Sequence, residues 1–501
     1  MAASIRKLAR HSMIYGLGHT LTRALSFLLL PLYTNYLTQE QFGIAGLLFS
    51  YLSIMTIVYG FGIDAAFLRY YVLAVSPAEK RKILSTAFWV VLTVAICLSG
   101  LSLALAAPLA RVLTTQGDQV YLVQLTVGIL FFDALATLFF LLLRAEERSL
   151  AFATNKLLGV AITLVLNYVF IVLLARGVAG VFEANLCVSA FTFLILLPKG
   201  WPHLRLTVNQ EMLQKLMRFG LPYLPATLSV TAIDGLDRYL LKALTDLKTV
   251  GIYSAGYRLG MIMGLVVAAF RFAWVSFYAG ASPQPNAPAL FARILTYFHL
   301  ACAVVYLGVS FFIDDLVRLP VGGISLFAQD YWQSTVIVPI VLLGYWLFGI
   351  YLNVLVGLHI KEKTRLLPLI TGTGLAMNIA GNLLLIPSFG MVGAAWATVL
   401  AYAVMTVLGY SFSQRYYPMQ YEYARLVKIA VLTALLFGIA QSGNFGWPWR
   451  VLLLLAFPFL LALSGFFEKT EKQRFFGWMK SVASGNSLVL PTIVLLSEIQ
   501  F

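Results

Sequence analysis

Residues that carry reaction chemistry are scarce in this sequence. Its 501 residues include 3 Cys and 5 His, and charged residues make up only 11% of the chain. Cys97, Cys187 and Cys302 each stand alone in an apolar stretch, so no disulfide or metal site is predicted. Closely spaced metal ligands, a phosphate-binding glycine loop and a nucleophile elbow are also missing from the sequence. We therefore expect a protein that is not an enzyme and that uses no metal or cofactor.

Apolar residues dominate the composition instead. Hydrophobic residues make up 60% of the chain, and its mean hydropathy is +0.87. A soluble protein of this length could not bury so much apolar surface, so the bilayer must act as its solvent. The formal net charge is +15, but the basic residues are scattered through short loops rather than collected on one face. That scatter argues against a nucleic-acid partner.

Apolar runs of about 20 residues, the length that crosses a bilayer, predict about fourteen transmembrane helices. The loops between them are short, and no soluble domain is inserted. The expected fold is an all-α polytopic membrane protein. The predicted spans are 12–37, 42–63, 83–107, 120–143, 155–175, 178–197, 219–241, 250–270, 290–313, 332–358, 366–386, 391–411, 426–441 and 449–467.

The distribution of basic residues predicts the orientation of these spans. If the N-terminus is cytoplasmic, 26 of the 35 Lys and Arg residues fall in cytoplasmic segments and only 6 in outer segments. Positively charged loops are retained on the cytoplasmic side, so we expect a multi-pass protein of the cytoplasmic (inner) membrane with both termini in the cytoplasm. The same asymmetry accounts for most of the net charge without any charged partner.

Two phrases of the sequence occur twice, in the same order. The first joins Leu37-Thr38 to Phe42-Gly43-Ile44 and recurs as Leu244-Thr245 followed by Val250-Gly251-Ile252. Both copies begin on the same side of the membrane, which indicates a parallel repeat of two lobes with a cavity between them. We expect the glycines of these phrases to serve close helix packing, not ligand binding.

The second phrase recurs in the same way. Asn167 leads to Gly177-Val178-Ala179-Gly180, and Asn382 leads to Gly390-Met391-Val392-Gly393. The last apolar stretch, after a charged segment, is short and contains Pro491, which favours an interfacial segment over a further span. The predicted division is an N-terminal six-helix lobe (1–200), a C-terminal six-helix lobe (201–415), two additional transmembrane helices (416–467) and a cytoplasmic or interfacial tail (468–501).

Charges within the spans that the repeat does not duplicate are the candidates for function. Arg23 lies near the middle of the first span, where a cation costs about 2.5–3.5 kcal/mol and usually faces a wet cavity or a partner. Arg258 lies deep in the eighth span, and neither arginine has a basic counterpart in the other copy. We expect both to bind substrate. His19, one turn before Arg23, is a candidate substrate contact or proton carrier, and simple packing is an equal alternative.

The seventh span carries three further charges. Asp234 and Arg238 are four residues apart, the spacing of an ion pair within a helix, and Asp237 is adjacent. Arg238 lies near the outer boundary, so it either binds substrate or extends its cation to the membrane surface. Asp234, Asp237 and Asp133 of the fourth span are candidate ligands for a coupling ion, and Asp133 is alternatively the counter-ion of a neighbouring arginine.

Particular hairpins of the chain resemble a known family. The run Pro31-Leu32-Tyr33-Thr34-Asn35-Tyr36-Leu37-Thr38 and the residues that follow it to Ile44 are similar to the first-hairpin signature of the polysaccharide transporter family. Residues 382–398 are similar to that family's late hairpin, and Arg144–Ser149 and Lys361–Thr364 resemble its paired inner loops. The family comprises oligosaccharide and O-antigen flippases of the multidrug/oligosaccharidyl-lipid/polysaccharide exporter (MOP) superfamily.

The resemblance implies two helical bundles in a V shape that alternate between inward-open and outward-open states. It implies a flippase that moves a polyprenyl-diphosphate-linked oligosaccharide, such as an O-antigen (lipopolysaccharide), capsule or exopolysaccharide repeat unit, to the outer leaflet. The implied partners are this substrate, membrane lipid, a coupling cation (H⁺ or Na⁺) and a glycan polymerase. The charges agree with this implication, because arginine is suited to bidentate contact with a diphosphate.

Other functions are also compatible with the layout. A peptidoglycan-precursor flippase shares the fourteen-span arrangement. A cation-coupled antiporter of drugs or small solutes would favour twelve spans and a cavity dominated by acidic residues. A membrane enzyme or assembly scaffold would move no substrate between leaflets.

Overall fold

The computed structural model of the protein describes residues 27–114, 119–321, 324–443 and 445–467, and these ranges are almost wholly helical. The helices are α1 (Leu29–Tyr36), α2 (Gln39–Gly60), α3 (Ile63–Leu73), α4 (Pro77–Ala104), α5 (Ala106–Thr114), α6 (Val120–Ala145), α7 (Ser149–Asn167), α8 (Gly177–Gly200), α9 (Gln210–Gly220), α10 (Leu224–Leu244), α11 (Leu247–Ala281), α12 (Ala287–Arg318), α13 (Val338–Val354), α14 (Val356–Ile360), α15 (Leu367–Tyr416), α16 (Tyr423–Ser442) and α17 (Trp447–Leu463).

Short segments join some of these helices. A π-helical turn, Tyr168–Leu173, continues α7, and a 3₁₀ helix, Gln329–Ile337, precedes α13. Between α12 and that 3₁₀ helix lies a small antiparallel hairpin of β1 (Pro320–Val321) and β2 (Ile324–Ser325). Further 3₁₀ turns lie at Trp201–His203, Leu221–Tyr223 and Thr364–Leu366.

Ten helical stretches in the described ranges are long and apolar enough to cross a membrane. The predicted all-helical membrane class is therefore confirmed, whereas the count of fourteen stays a prediction because most of the first span lies outside the described residues. Two predicted spans, 366–386 and 391–411, fall within the range of α15, in which the non-helical backbone of Gly390 (φ 54°, ψ −130°) separates two helical segments. The two segments pack side by side, since Asn378 Nδ2 lies 3.4 Å from Oγ1 of Thr398. α17, with 17 residues, is shorter than a typical span.

The start and end of α2 follow from local sequence. Thr38 and Gln41 form a capping box, in which each side chain accepts a hydrogen bond from the other residue's backbone N–H. At the other end the chain turns through Phe61 (φ 50°) and Gly62 (φ 73°) before α3 begins. The long apolar run thus becomes two helices with a break, and Gly62 supplies the left-handed backbone that such a break needs.

Two loops of the repeat have the same backbone structure. Glu147 after α6 and Glu362 after α14 both adopt left-handed conformations, with φ of 55° and 53°. The N–H of the residue after each glutamate donates to a carbonyl five residues back, Arg148 to Leu143 and Lys363 to Leu358. This is the pattern that closes a helix C-terminus around a left-handed residue. The two predicted inner loops are therefore structurally equivalent.

The first repeated phrase brings its two glycines together. A Cβ atom on Gly43 would lie 3.2 Å from the backbone nitrogen of Gly251, and closer still to the carbonyl oxygen of Leu247. A Cβ on Gly251 would lie 3.1 Å from the nitrogen of Gly43, and closer still to the carbonyl oxygen of Gln39. The backbones of α2 and α11 are therefore in direct contact, which agrees with the packing role expected for these glycines.

Contacts between Cα atoms divide the chain into two compact units. The first contains Met1–Phe291 and Ile313–Gln420, and so holds most of both copies of the repeat; we call the part up to Gly200 the N-terminal half and the rest the C-terminal half. The second contains Ala292–Phe312 and Tyr421–Phe501. In the second unit the guanidinium of Arg425 lies 4.4 Å from the ring centre of Phe466. The division into lobes of 1–200 and 201–415 stays a prediction.

Candidate functional site

Arg258 of α11 lies among three aromatic rings of the N-terminal half. Its guanidinium carbon is 5.5 Å from the ring centre of Tyr33, 5.4 Å from that of Phe42 and 4.8 Å from that of Phe49. We call these three rings the aromatic cage. No carboxylate forms an ion pair with Arg258 within the ranges that the structure describes. The electron-rich ring faces stabilise its charge instead.

The cage is itself held in place by a polar contact. The hydroxyl of Tyr33 donates a hydrogen bond of 2.9 Å to Oδ1 of Asn167 at the end of α7. Both side chains are buried, Tyr33 at 2% exposure and Asn167 at 0%. The sequence marked Asn167 only as part of the repeat, and the structure gives it the role of orienting a ring that contacts Arg258.

Arg238 is paired with Asp237 in a buried position. Its Nη1 donates to Oδ1 of Asp237 at 3.2 Å, and the same nitrogen donates to the backbone oxygen of Asp234 at 2.7 Å. The expected four-residue ion pair with the carboxylate of Asp234 is therefore absent from this part of α10, because the Asp234 side chain points to other partners. Tyr253 donates to Oδ2 of Asp237, and the ring of Tyr257 lies 4.5 Å from the guanidinium.

Asp234 is surrounded by tyrosine hydroxyls. Its Oδ1 accepts hydrogen bonds from Tyr257 at 2.9 Å, Tyr345 at 3.2 Å and Tyr402 at 2.6 Å. These donors come from α11, α13 and α15, so three helices meet at one carboxylate. A buried carboxylate needs such donors when water is excluded. The structure thus brings Asp234, Asp237 and Arg238 into one polar cluster, although the ion pair that the four-residue spacing predicted is not the one that forms.

Asp133 lies in a separate polar group of the N-terminal half. The hydroxyl of Ser189 on α8 hydrogen-bonds to its carboxylate, and the charge of Lys156 on α7 acts on it. Lys156 in turn places its Nζ 4.0 Å from the ring centre of Phe140. Lys156 is thus a basic residue near Asp133 in this part of the chain, and the role of Asp133 as a counter-ion stays a prediction. Whether Asp133 also binds a coupling ion stays a prediction.

A buried amide and hydroxyl cluster in α15 was missed by the charge-based search. Asn382 Nδ2 donates to Oδ1 of Asn378 at 3.2 Å, and Asn378 Nδ2 donates to Oγ1 of Thr398 at 3.4 Å. Oδ1 of Asn382 is buried and has no hydrogen-bond partner among the described residues. Asn382 and Thr398 were read only as repeat markers. Polar side chains at four-residue spacing in an apolar helix are the signal that indicates them.

An apolar cleft lies next to the Arg258 region. It is an open cleft of about 270 Å³, lined by Leu30 and Pro31 of α1, Leu259 and Ile262 of α11, and Leu326 and Phe327 beside β2. Leu259 directly follows Arg258 in the sequence, so the cleft and the cation belong to neighbouring faces of one helix. All of these lining residues are apolar, and the cleft suits a hydrocarbon chain better than a polar group.

The predicted ligands Arg23 and His19 lie outside the described residues. The other two predicted substrate ligands lie in one region, since the guanidinium of Arg238 is 4.5 Å from the ring centre of Tyr257, the residue before Arg258. Arg238 is already paired with Asp237 in this state, whereas Arg258 has only its aromatic cage. Within the described ranges Arg258 is thus the cation most available to an anionic ligand. The substrate role of all four residues stays a prediction.

Solved structures of membrane transporters share this fold. The lipid II flippase MurJ in an inward closed conformation is similar with a TM-score of 0.73 and 15% identity, over 89% of this chain and 97% of that chain. An inward-facing multidrug resistance MATE family transporter of the MOP superfamily is similar with a TM-score of 0.65 and 16% identity, over 82% of this chain and 96% of that one. The fold is therefore that of MOP-superfamily membrane transporters.

The family is shown by the sequence itself. The chain belongs to the polysaccharide biosynthesis protein family, whose model matches residues 8–275. A curated relative, the probable low-salt glycan biosynthesis flippase Agl15 of Haloferax volcanii, is 26% identical over 198 residues, which are 38% of this chain and 40% of Agl15. The chain thus matches less than half the length of that relative. These findings confirm the family predicted from the hairpin motifs, and the solved structures confirm the fold.

Proposed function

We propose that the protein is a flippase that moves a polyprenyl-diphosphate-linked oligosaccharide across the cytoplasmic membrane by alternating access. The observation that carries the proposal is Arg258, a deep cation that has aromatic neighbours but no acidic partner among the described residues. Such a cation favours an anionic ligand that enters the same site, because a charge far from water is stabilised by pairing. The family description, polysaccharide biosynthesis, points to a glycan as the rest of that ligand.

The arrangement of cations fits a diphosphate. Arg238 lies near enough for its charge to act on Arg258, and an anion between two like charges relieves their repulsion. Guanidinium groups also contact phosphate oxygens in a bidentate way that lysine cannot match. Arg23 is proposed as a third contact, with His19 beside it. The substrate role of Arg238 requires that its bond to Asp237 loosen when the ligand binds.

The apolar cleft suits the lipid part of the same substrate. It is lined by Leu30 and Pro31 on one side and by Leu259 and Ile262 on the other. A prenyl chain leaves the bilayer for this cleft without exposing apolar surface to water, and packing against the lining side chains holds it there. A substrate with its diphosphate at Arg258 would therefore have a hydrocarbon-binding surface beginning at the next residue. This pairing of cation and apolar cleft favours a lipid diphosphate over a free sugar phosphate.

Ion coupling is proposed at the buried carboxylates. Asp234 and Asp237 lie in the C-terminal half, where tyrosine hydroxyls donate to both, and Asp133 lies in the N-terminal half. A carboxylate in such a setting changes the balance between conformations when it binds H⁺ or Na⁺. The partnerless oxygen of Asn382 is a further candidate ligand for a cation.

The identity of the glycan, the partner enzyme and the membrane location are proposed from the sequence and from relatives of the protein. The glycan is proposed to be an O-antigen, capsule or exopolysaccharide repeat unit, with a glycan polymerase as the enzyme that receives it. An inner-membrane location with cytoplasmic termini is supported by the loop charges. A drug antiporter is disfavoured, because a cationic drug would be repelled by Arg258 and Arg238. A peptidoglycan-precursor flippase is the main alternative, since its substrate is also a lipid diphosphate.

A leaflet assay in proteoliposomes tests the function. Purified protein is reconstituted with a fluorescent polyprenyl-diphosphate oligosaccharide, and the fraction of label reached by an external quencher is followed over time. Arg23→Ala and Arg258→Ala are expected to slow flipping at least tenfold. Lys248→Ala, which removes an exposed lysine at the start of α11, is the matched control and is expected to flip at the normal rate.

Each result of this assay has a defined meaning. Wild-type flipping of the oligosaccharide with loss in both arginine variants supports the proposal. Wild-type protein that moves no lipid-linked glycan overturns the function, and full flipping by both variants overturns the site. Equal rates with and without imposed proton or sodium gradients overturn the coupling proposal alone. A strong preference for a lipid-linked peptidoglycan precursor would assign the alternative.

A further inference from the structure

Asn35 and Lys242 occupy equivalent positions in the two copies of the repeat. Each lies two residues before the shared Leu-Thr dipeptide, which is Leu37-Thr38 in the first copy and Leu244-Thr245 in the second. Both therefore stand at the end of a helix on the same membrane face, where α1 gives way to α2 and α10 to α11. We call it the Leu-Thr face. The loop charges predict that it is the outer one.

Asn35 reaches across to the C-terminal half. Its Nδ2 donates to the carbonyl oxygens of Ser325 and Leu326, each at 3.2 Å, at the β2 strand that follows α12. The same amide also donates to Pro31 of its own helix at 2.9 Å, which fixes its direction. One side chain of the N-terminal half thus holds two backbone carbonyls of the other half.

Lys242 makes the reverse contact. Its Nζ donates to the carbonyl oxygen of Val112 at 2.5 Å and to that of Arg111 at 3.4 Å, in the last turn of α5. A cation at a helix C-terminus meets unpaired carbonyls and the negative end of the helix dipole, so this contact is favourable. The C-terminal half therefore also holds two carbonyls of its neighbour.

The two contacts are related by the repeat. In each case the residue two positions before the Leu-Thr dipeptide binds two consecutive carbonyls of the opposite half, in the segment after α12 for Asn35 and in the segment after α4 for Lys242. Other bonds join the halves at the same face: Gln39 Nε2 donates to the carbonyl of Asp330, and the hydroxyl of Tyr331 donates to that of Leu37. Asn35 and Lys242 differ from these other donors because they are equivalent in the repeat. As a pair related by the pseudo-two-fold axis, they resist separation of the two halves on both sides of that axis.

We propose that Asn35 and Lys242 form a pseudo-symmetric clasp that holds the two halves together at the Leu-Thr face and must open for transport. This role rests on the alternating-access function proposed above, since a protein that never parts its halves needs no such device. The clasp is unequal. Asn35 contributes a neutral amide and Lys242 a charged ammonium, and hydrogen bonds to charged groups are about twice as strong. Lys242 therefore sets most of the resistance to opening.

A distance measurement in the absence of substrate tests the clasp. Spin labels are placed on cysteines introduced at the exposed positions Ala107 of α5 and Lys248 of α11, in a chain whose native cysteines are replaced. Pulsed electron resonance then gives the ratio of a long-distance, open population to a short-distance, closed one. Asn35→Ala is expected to raise this ratio about two- to tenfold and Lys242→Ala about tenfold or more.

Matched variants separate the clasp from general damage. Lys242→Arg keeps a cationic donor and is expected to retain a mainly closed distribution. Asn185→Ala removes an amide whose hydrogen bond among the described residues is to Val181 of its own half, at 2.7 Å, and is expected to leave the ratio unchanged. The double variant of Asn35 and Lys242 is expected to exceed either single variant, since the contacts lie on opposite sides of the axis.

The outcomes are distinguishable from those of the flipping assay. Wild-type distances in both alanine variants, or equal opening by Asn185→Ala, would overturn the clasp. Opening in the alanine variants with retention in Lys242→Arg supports it, whatever substrate the protein proves to carry. If those variants open but no lipid-linked glycan is flipped by any chain, the proposed function fails and the clasp stands as a property of the fold.

Discussion

The guanidinium of Arg258 lies 4.8 Å from the ring centre of Phe49, a residue of the opposite half of the repeat. The contact replaces the ion pair that such a deep cation would ordinarily require. A cation–π contact is worth about 0.5–2 kcal/mol, much less than a charge-assisted bond to phosphate in a dry site. The cage therefore holds the arginine without preventing it from binding a stronger ligand.

Loosening the cage is expected to strengthen diphosphate binding. In Phe49→Leu one ring is lost while Arg258 stays, so less energy is needed to move the cation toward the ligand. The dissociation constant of a short-chain prenyl diphosphate is expected to fall about two- to fivefold, measured by titration calorimetry. Phe182→Leu, which removes the ring 5.2 Å from Phe49 without touching Arg258, is the control. Weaker binding by Phe49→Leu alone would show that the ring orients the cation productively.

The hydroxyl of Tyr402 is expected to stabilise the fold through Asp234. Tyr402→Phe removes the 2.6 Å hydrogen bond and leaves the ring in place. Because the acceptor is a buried carboxylate, the free energy of unfolding is expected to drop by about 1.5–3 kcal/mol. Denaturation in mixed micelles measures it, with Tyr416→Phe as a control whose hydroxyl lies on a partly exposed ring. Equal losses in the two variants would contradict a special role for the Asp234 cluster.

Much of the helical layout could be predicted because the bilayer imposes a length on apolar runs. The predicted span 120–143 corresponds to α6, and 178–197 lies within α8. The boundary between spans 366–386 and 391–411 falls at Gly390, whose non-helical backbone separates two helical segments that pack against each other. Glycine allows the positive φ with which one helix ends and the next begins.

The sequence predicted which charged residues belong to the site better than it predicted the contacts that they make. Asp237 and Arg238 were identified because charges are rare in apolar helices, yet their pairing depended on where the side chain of Asp234 points. The aromatic cage around Arg258 could not be predicted either. Tyr33 and Phe49 lie in other helices, and nothing in the sequence around them shows that helix packing brings their rings to Arg258. Contacts between distant segments depend on tertiary structure, which local periodicity does not encode.

Adding a methyl group at the glycine contact is expected to open the closed state. Gly43→Ala places a Cβ against the backbone of α11, where no side chain is available to move aside. The ratio of open to closed populations, measured with the spin labels on residues 107 and 248, is expected to rise about tenfold or more. Flipping is expected to slow. Gly100→Ala, whose Cβ would meet nothing within 4 Å, is the control and is expected to be neutral or stabilising. An unchanged ratio in Gly43→Ala would show that α2 and α11 separate slightly at no cost.

Gly251→Ala tests the same contact from the other side. If each methyl group blocks the same approach of α2 to α11, the double variant with Gly43→Ala is expected to open the protein less than the two single effects combined. The same distance measurement checks this. Full additivity would indicate that the two glycines relieve separate clashes.

Replacing either left-handed glutamate with glycine is expected to stabilise the protein slightly. Glu147 and Glu362 have φ near 55°, which costs a residue with a Cβ about 1–2 kcal/mol. Glycine removes that cost but gains freedom in the unfolded chain, so the net gain is expected to be about 0.5–1 kcal/mol at each position. Thermal unfolding in detergent measures it, and Glu79→Gly in the first turn of α4 is the control, expected to destabilise. Opposite signs for Glu147 and Glu362 would show that the two loops are not equivalent.

The reciprocal contact of Gly43 and Gly251 has the form of an isologous interface, in which residue i of one copy meets residue j of the other and the reverse also holds. Isologous contacts are typical of two-fold homodimers. A chain with only one copy of the repeat would therefore present a self-complementary surface along α2 and would pair with itself in the membrane. The present chain contains both sides of this contact in a single polypeptide, so the two sides need not be identical, and they differ where the amide of Asn35 corresponds to the ammonium of Lys242.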